Sequence, residues 1–422
     1  MSEPRLPSGP AFSRRSFLVV TAGGLVALAL PGCASGGTPS SSAATAVGGG
    51  SGTAADVGGA RALIVVELDG GNDGLSAVVP ADGRYRDARP TIAVPEKDVV
   101  ALTGTTEVGL HPALAPLVPL WDAGRLSAVR GVGFPDPDRS HFVSMDRWWK
   151  ADRGGAAPGW LADWLDSAPD GSGPLTATSV NGSAPQLAGS GRAVTTLIDP
   201  AGFDFRSPAL ADGLRALADD GTGGGGGGDD LVSMARAAMA RSVDAVADVQ
   251  GLVTAAGNED DLQQTSPFTA GLALAAEIVA AATGPTVVVV SGGSFDTHSG
   301  QVATHQRLYA DVAAGIAGYF TRAESGGFAE RSLLMTTSEF GRRVAENGSG
   351  GTDHGAASTT FLAGPAVAGG LHGAIDLGDL LDGDVRPTVD PRTIYTAALD
   401  WLGADVEAAL GRRYDEVALL QS

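Results

Sequence analysis

The residues best suited to chemistry lie at 291–301, in the stretch Ser-Gly-Gly-Ser-Phe-Asp-Thr-His-Ser-Gly-Gln. Asp296 and His298 are two residues apart, so in extended backbone their side chains point the same way. A carboxylate oxygen and an imidazole nitrogen on one side suit zinc or another divalent transition metal. The alternative is that Asp296 caps a helix or turn and His298 bonds to a neighbouring loop. The pair alone leaves both interpretations open.

The flanking segments decide where this pair must lie. Residues 286–290 are Thr followed by four Val, which predicts a strand buried on both faces. Residues 302–322 then carry apolar side chains at helical spacing. The pair therefore lies where a parallel strand gives way to a helix. In open α/β sheets, ligands bind at that edge.

Three other predicted strands bring an acid or a histidine to the same kind of position. Asp69 follows the strand at 61–68, Glu339 follows the strand at 331–337, and His354 lies in a glycine-rich loop before a further strand. Each turn taken alone can be an ordinary polar turn. If all of them meet at one sheet edge, they supply ligands for one or two divalent ions: zinc, manganese or calcium.

Ser140 and His141 open a predicted helix after an extended loop that contains two prolines. A serine at this position is usually a helix cap. The same position exposes its hydroxyl to the positive end of the helix dipole, which favours bound anions and an activated oxygen. Arg342 likewise has two interpretations, as an anion-binding residue or as a surface cation.

The N-terminus predicts export and lipid anchoring. Residues 13–18, Ser-Arg-Arg-Ser-Phe-Leu, fit the twin-arginine pattern, and the apolar stretch after them is too short for a stable membrane span. That stretch ends in Leu-Pro-Gly-Cys, which resembles a bacterial lipoprotein cleavage box, so we expect Cys33 to be lipidated. Cys33 is the only cysteine, which excludes intrachain disulfides and a thiolate zinc cage.

This divides the chain into a signal peptide at 1–32, a flexible Gly/Ser/Ala tether at 33–60 and one α/β domain at 61–422. We expect the domain to have a mostly parallel sheet flanked by helices, with a largely helical insertion at 165–282. The formal net charge is −20, which argues against nucleic acid and anionic membrane as direct partners. Contact with a membrane is then expected only through the lipid anchor.

Several short motifs together resemble one exported bacterial family, the one catalogued as domain of unknown function 1501. Besides the twin-arginine start, the motifs are Leu-Asp-Gly-Gly-Asn-Asp-Gly at 68–74, Ser-His-Phe at 140–142, Phe-Asp-Thr-His at 295–298, Ser-Glu-Phe-Gly-Arg at 338–342 and Thr-Asp-His-Gly at 352–355. That family resembles the alkaline phosphatase and sulfatase superfamily. The resemblance implies an α/β core with two metals at the strand ends.

The resemblance also implies roles for individual residues. Asp69, Asp296 with His298, and His354 match metal ligands, and Ser140 lies where the superfamily nucleophile begins a helix. Glu339 falls where an Asp-His pair is expected, but Phe340 takes the place of the histidine. A single metal, an altered site and lost catalysis are all compatible with that difference.

Three functions are compatible with these features. The first is an exported, lipid-anchored, metal-dependent hydrolase of phosphate or sulfate esters on a small molecule or glycan. In it Ser140 and His141 are catalytic, and Asn72 or Arg342 binds the anion. The second is a non-catalytic cell-surface protein on the same fold that binds a glycan or a partner exported protein. The third is a structural metal protein. The acids and histidines at the strand ends favour the first.

Overall fold

The structure, a computed structural model, describes residues 61–169, 173–198, 212–213, 215–216, 246, 248–257 and 265–421. The predicted signal peptide, the tether and Cys33 lie outside these ranges. Within them, no helix has both the length and the apolar character needed to cross a membrane.

An eight-stranded sheet forms the centre of the fold, in the order β11-β5-β10-β9-β1-β8-β6-β7. Two smaller sheets, β2-β4-β3 and β12-β13, lie outside it. The strands are β1 Ala62–Leu68, β2 Val78–Pro80, β3 Val100–Ala101, β4 Val108–Leu110, β5 Leu126–Val132, β6 Ala177–Val180, β7 Thr195–Leu197, β8 Thr286–Gly292, β9 Ser332–Thr337, β10 Ser358–Ala363, β11 Gly370–His372, β12 Leu380–Leu381 and β13 Asp384–Val385.

Helices pack on both faces of the central sheet. They are α1 Gly74–Ala77, α2 Gly83–Ala88, α3 Val118–Asp122, α4 His141–Trp149, α5 Ala162–Ser167, α6 Pro267–Ala281, α7 Gln301–Ser325, α8 Pro391–Leu402 and α9 Val406–Leu410. Alternate residues of β1 belong to different cores: Ile64 and Val66 pack with α6 and α7, whereas Leu63 and Val65 pack with α5 and α8. Burial of β1 on both faces is what its unbroken apolar run predicts. The predicted α/β class, with a mostly parallel sheet flanked by helices, is confirmed.

The register of the three central strands brings their ends to one level. β1 pairs in parallel with β8 and with β9; Leu68 aligns with Gly292, and Glu67 aligns with Thr337. β10 runs antiparallel to β9, so the loop before it starts at the edge where the parallel strands end. The loops that carry Asp69, Asp296, Glu339 and His354 therefore share one edge of the sheet.

The segment 165–282 contributes two strands to the central sheet. Its sequence predicts strands at 176–181 and 193–198 within a segment expected to be largely helical, and β6 and β7 confirm these two strands. β6 pairs in parallel with β8, and β7 pairs in parallel with β6. Their hydrogen bonds extend the sheet beyond β8, so this part of the segment belongs to the core layer. The alanine-rich sequence at 231–254 predicts a helix, and it lies mostly outside the described residues.

Candidate metal centre

Asp296 lies at the centre of the site, in the loop between β8 and α7. Its Oδ1 accepts a hydrogen bond from Arg342 Nη2 at 2.7 Å. The same oxygen lies 3.1 Å from His298 Nε2 and 3.1 Å from His354 Nε2. Its Oδ2 lies 3.6 Å from His141 Nε2. Three of the six histidines thus direct an Nε2 atom at one carboxylate.

The closest atoms form a nearly equilateral triangle. His298 Nε2 and His354 Nε2 are 3.0 Å apart, and each is 3.1 Å from Asp296 Oδ1. Ligands about 2.0–2.1 Å from a tetrahedral zinc ion are separated from one another by roughly 3.3 Å. The triangle therefore has nearly the size of one face of a tetrahedral zinc site. Asp296, His141 and His354 form a second possible ligand group, with atoms within 4.8 Å of one another.

Hydrogen bonds on the far side of each ring determine which atoms are available to a metal. His354 Nδ1 lies 2.8 Å from the backbone carbonyl oxygen of Arg139, which only accepts, so Nδ1 carries the proton. His298 Nδ1 lies 3.1 Å from a carboxylate oxygen of Asp353, which has the same effect. In the neutral rings both Nε2 atoms therefore present lone pairs. Metal-binding histidines are commonly oriented in this way by an acceptor behind the ring.

His141 follows the same rule. Its Nδ1 lies 2.8 Å from Glu339 Oε1, and that oxygen also accepts from the backbone N–H of Gly70 at 2.9 Å. Nε2 of His141 is thus directed toward Asp296 with its lone pair available. We expected His141 to be a catalytic residue, but the geometry makes it a candidate ligand. Glu339, expected to be a ligand, instead lies behind His141 and orients it.

The converging lone pairs require a positive charge between them. Burial would raise the pKa of Asp296, but the hydrogen bond and the charge of Arg342, together with the adjacent ring of His354, hold it at about 2, so the carboxylate is ionised. A bound proton or a metal ion can supply the missing charge. Imidazole ligands favour zinc or another transition metal over calcium, which binds through oxygen. The donor set therefore fits one such ion.

Replacing Asp353 by alanine tests the support behind His298. We expect Asp353→Ala to weaken zinc binding by about 10-fold to 100-fold, because the ring of His298 loses the acceptor that sets its tautomer and orientation. Competitive titration with a zinc-binding dye measures the change. Asp376→Ala, at a side chain that is 71 % exposed, is the matched control. An unchanged affinity in Asp353→Ala would show that Asp353 does not support the site.

Arg342 holds three loops together and does not face the open site. Its Nε donates to Gly71 O at 2.9 Å and its Nη1 donates to Thr352 O at 2.8 Å. Its Nη2 donates to Gly70 O, to Phe295 O and to Asp296. The side chain is fully buried. The structure therefore does not support the expected anion-binding role of Arg342.

Asn72 is also unavailable to a substrate. Its side chain is fully buried, and its Oδ1 accepts from the hydroxyl of Tyr309 at 3.0 Å. Its Nδ2 is buried and has no hydrogen-bond partner among the described residues. The expected anion-binding role of Asn72 is not supported in this structure.

Asp69 lies in a small cavity beside the histidine cluster, among other carboxylates. The cavity, of about 30 Å³, is lined by Asp69, Glu67 and Glu339 together with aromatic side chains that include Trp149. Burial, and the charges of Glu67 and Glu339, raise the pKa of Asp69 to about 7. Asp69 is not in the ligand group formed by His141, Asp296 and His354. Its expected role as a ligand would require a second, oxygen-rich position.

The raised pKa of Asp69 predicts a pH-dependent stability. In the unfolded chain this carboxyl ionises near its ordinary pKa of 3.8, whereas in the folded protein it stays protonated up to about pH 7. Its contribution is therefore fully present below about pH 4 and is lost as the pH rises through about 7. In metal-free protein with chelator, we expect Asp69→Asn to match the wild type near pH 4 and to exceed it in melting temperature at pH 8. Equal melting temperatures at both pH values would contradict the raised pKa.

Ser140 is the N-cap residue of α4, next to the cluster, and its side chain makes no capping hydrogen bond. It is exposed, and its backbone N–H donates to Asp138 Oδ1 at 2.6 Å. The hydroxyl therefore lies at the positive end of a nine-residue helix without a capping hydrogen bond to any residue that the structure describes. The expected exposure of this oxygen is present.

Phe340, which stands where a histidine was expected, forms a wall of the site. Its ring is 4.5 Å from that of His354 and 4.9 Å from that of His141, measured between centroids. The side chain is 2 % exposed and offers no ligand atom. It restricts both imidazoles by packing against them.

Sequence reasoning missed the residues that support the site. Glu67 could have been predicted to lie near Asp69. The two acids are two positions apart at the end of a buried strand, so their side chains share one face of the sheet. The carboxylate of Glu67 accepts from Trp149 and from Ser291. Nothing in the sequence around Asp353, one residue before His354, indicates that its carboxylate contacts His298. Its contact with His298 depends on how two distant loops meet.

A protein-family model matches residues 182–416, more than half of the chain. The description of that family is "protein of unknown function (DUF1501)". A search among curated proteins found no match.

Solved structures that resemble the chain include three bacterial proteins. One is a protein in the alkaline phosphatase superfamily from Vibrio parahaemolyticus, with 8 % identity, a TM-score of 0.39 and coverage of 84 % of this chain and 69 % of that one. Another is a lipoteichoic acid synthase from Listeria monocytogenes, with 8 % identity, a TM-score of 0.36 and coverage of 82 % and 72 %. A third is the C-terminal periplasmic domain of EcEptC from Escherichia coli, in complex with Zn, with 10 % identity, a TM-score of 0.36 and coverage of 86 % and 92 %.

At such low identities and TM-scores, these similarities carry no conclusion about activity. The family match is of a different kind, because it covers all elements from β7 to α9. It includes Asp296, His298, Glu339 and His354. The chain belongs to the DUF1501 family.

Proposed function

We propose that this protein is an exported, lipid-anchored, metal-dependent hydrolase of phosphate or sulfate esters. One observation carries the proposal. An ionised carboxylate and three imidazole Nε2 atoms converge at the sheet edge, in a position open to solvent, beside a free serine hydroxyl at a helix N-terminus. Ester hydrolysis is a reaction class that uses a cation and a nucleophile side by side.

Each residue of the site would have a separate role in ester hydrolysis. Asp296, His298 and His354 would hold the ion, and His141 would complete or adjust its surroundings. A bound divalent ion supplies positive charge that stabilises the anionic ester and lowers the pKa of a nearby hydroxyl. Ser140 Oγ would lose its proton and form a bond to phosphorus or sulfur, while the alcohol of the ester leaves and takes up a proton. Water would then hydrolyse the ester on Ser140, which releases phosphate or sulfate and restores the hydroxyl. The uncapped N-terminus of α4 favours the negative charge that collects there.

The surface charge makes the ion necessary for this function. The chain carries a net charge of −20, which repels an anionic ester. Arg342, the cation nearest the cluster, is buried and already donates to Asp296 and to four backbone carbonyls. Attraction of the substrate would therefore depend on the metal and on the helix N-terminus.

Replacement of Ser140 tests the nucleophile separately from the metal. We expect Ser140→Ala to retain stoichiometric zinc, because Ser140 is outside the ligand group, and to lose at least about 10³-fold in kcat. The assay measures release of p-nitrophenol from its phosphate and sulfate esters by zinc-loaded and manganese-loaded protein. His354→Ala, which should bind the metal more weakly and lose activity with it, is the companion variant.

Two results would contradict the proposal in different ways. If Ser140→Ala hydrolyses as fast as the wild type, Ser140 is not the nucleophile. If the metal-loaded wild type hydrolyses neither ester, nor a panel of phosphorylated and sulfated glycans, the hydrolase proposal fails. The non-catalytic alternative, a surface protein that binds a glycan or a partner protein, would then take its place. The burial of Asn72 and Arg342 is the observation that favours this alternative.

The proposed location rests on residues 1–33 and is tested independently. We expect Cys33→Ala to remain unprocessed or to leave the membrane fraction, and we expect Lys replacement of Arg14 and Arg15 to block export. Fractionation of cells that express the full chain distinguishes these outcomes from retention of the protein in the cytoplasm.

A further inference from the structure

A second cavity lies away from the histidine cluster, between α7 and the 3₁₀ helix Pro112–Leu117. Its volume is about 460 Å³, within the roughly 300–1,000 Å³ typical of small-molecule sites. Its walls are largely apolar and include Ile92, Val94, Pro112 and Val302. The metal centre does not use this cavity.

Two buried histidines line it, and each has one ring nitrogen without a partner. His111 Nδ1 accepts the backbone N–H of Ala113 at 3.2 Å, so in the neutral ring Nε2 carries the proton. No described residue accepts a hydrogen bond from that Nε2. His111 and His305 are only 6 % and 2 % exposed, and they are the only histidines among the lining residues described for this cavity.

His305 has its opposite nitrogen free. Gln301 Nε2 donates to the carboxylate of Asp73 at 2.7 Å, so the amide oxygen of Gln301 accepts from Thr297 Oγ1 at 3.1 Å. The hydroxyl of Thr297 then accepts from His305 Nε2, 3.1 Å away. This leaves His305 Nδ1 as a lone-pair acceptor with no donor among the described residues. The cavity therefore offers one free donor, on His111, and one free acceptor.

Both rings stay neutral, which restricts the charge of a ligand. Burial lowers the pKa of His111 and of His305 to about 4, against the opposing charge of Asp73. Asp73 is itself paired with Arg89 in a buried ion pair, with Arg89 Nη1 at 2.5 Å from its Oδ2. Asp73 does not line the cavity; Asp98 is the one acid among the lining residues described, and it is exposed. No unpaired cation among the described lining residues would hold an anion.

We propose that this cavity binds an uncharged small molecule with an apolar body and an amide-like donor–acceptor pair. The ligand accepts from His111 Nε2 and donates to His305 Nδ1. The apolar walls bury the rest of it, since burial of apolar area is the main source of affinity in such sites. This inference does not depend on the proposed ester hydrolysis.

The cavity is physically connected to the metal centre. Thr297, which bonds to His305, lies between Asp296 and His298 in the chain. Its hydroxyl and that of Thr352 both donate to the same oxygen of Gln301. A ligand that reorients His305 thus acts on the loop that carries two candidate metal ligands.

The test uses the full chain with ¹⁵N-labelled histidine and benzamide as the probe. The chain has only six histidines, so each ring can be assigned in long-range ¹H–¹⁵N spectra. We expect saturable shifts at His111 and His305 and at least tenfold weaker effects from benzoate and benzylamine. Shifts confined to other histidines, or equal binding of all three probes, would overturn the proposal.

A plugging variant provides the matched control. Val302 lines the cavity on α7 and is 54 % exposed, so Val302→Trp can fill the entrance without disturbing the core. We expect it to abolish the benzamide shifts. Ala310→Trp, at an exposed position of the same helix outside the lining, should leave them unchanged. Undiminished benzamide binding by Val302→Trp would place the probe elsewhere and refute the site.

Discussion

Asp296→Asn is expected to lower zinc affinity by more than about 100-fold, beyond the usual effect of removing a residue that only supports a ligand. Asp296 is the one group that all three histidines approach, at 3.1 Å from His298, 3.1 Å from His354 and 3.6 Å from His141. Asparagine keeps the size of the side chain but removes its negative charge. The imidazole lone pairs then remain without a carboxylate to balance the ion.

Equilibrium dialysis followed by elemental analysis measures this loss. Asp163→Asn, at an exposed aspartate of α5, provides the control for loss of one negative charge from a chain of net charge −20. Because ligands must be deprotonated, zinc binding by the wild type should also weaken in acidic solution. Zinc affinity in Asp296→Asn equal to that of the wild type would place the metal elsewhere.

Arg342→Met is expected to have the largest effect on stability, at about 3–5 kcal/mol. The change leaves the carbonyls of Gly70, Gly71, Phe295 and Thr352 without their buried donor. It also removes the cation beside Asp296. Because these carbonyls belong to three different loops at the sheet edge, the loops should separate and metal binding should be lost as well.

The neighbouring Arg343 is a closely matched control. Its side chain is 37 % exposed, and its partner Asp384 also pairs with Arg139 at 2.6 Å. Arg343→Met should therefore cost less than about 1 kcal/mol. Urea unfolding of both variants gives the comparison, with unchanged slopes as the check that stability alone has altered. A loss in Arg342→Met no greater than in Arg343→Met would contradict the role assigned to Arg342.

The sheet could be predicted from sequence because its strands are continuous apolar runs. The run at 286–290 indicates a strand buried on two faces, the segment at 61–68 indicates a second strand, and β8 and β1 are these strands. The rule that parallel strands end at a common edge then brings Asp69, Asp296 and Glu339 into one region. The grouping of these three acids at one edge of the sheet therefore follows from hydrophobic periodicity and strand topology alone.

The allocation of roles within the region could not be predicted in this way. Whether Glu339 binds a metal or orients His141 depends on a contact of 2.8 Å between loops 198 residues apart in sequence. Arg342 could not be distinguished from a surface cation, because its partners are backbone carbonyls, which carry no signal in residue types. His141 was expected to be catalytic because it follows Ser140, yet the start of α4 directs its ring toward Asp296.

The contacts of the two glycine-rich turns, which contain Gly70 and Gly351, also could not be predicted from the sequence. Gly70 has a positive φ of 102°, and a Cβ there would lie 2.5 Å from the backbone nitrogen of Asp296. A Cβ on Gly351 would lie 2.3 Å from the carbonyl oxygen of Thr297. Both glycines are required so that the loops can approach one another. The sequence indicates that these turns are tight, but not which backbone they approach.

X-ray absorption spectroscopy of the zinc-loaded full chain tests the central claim most directly. The expected spectrum shows one zinc ion with two or three imidazole nitrogens and a carboxylate oxygen at about 2.0–2.1 Å. The imidazole signal should fall by one ligand in His298→Ala and in His354→Ala. A zinc shell made only of oxygen atoms, or a folded chain that binds no zinc at all, would contradict a metal centre built on Asp296.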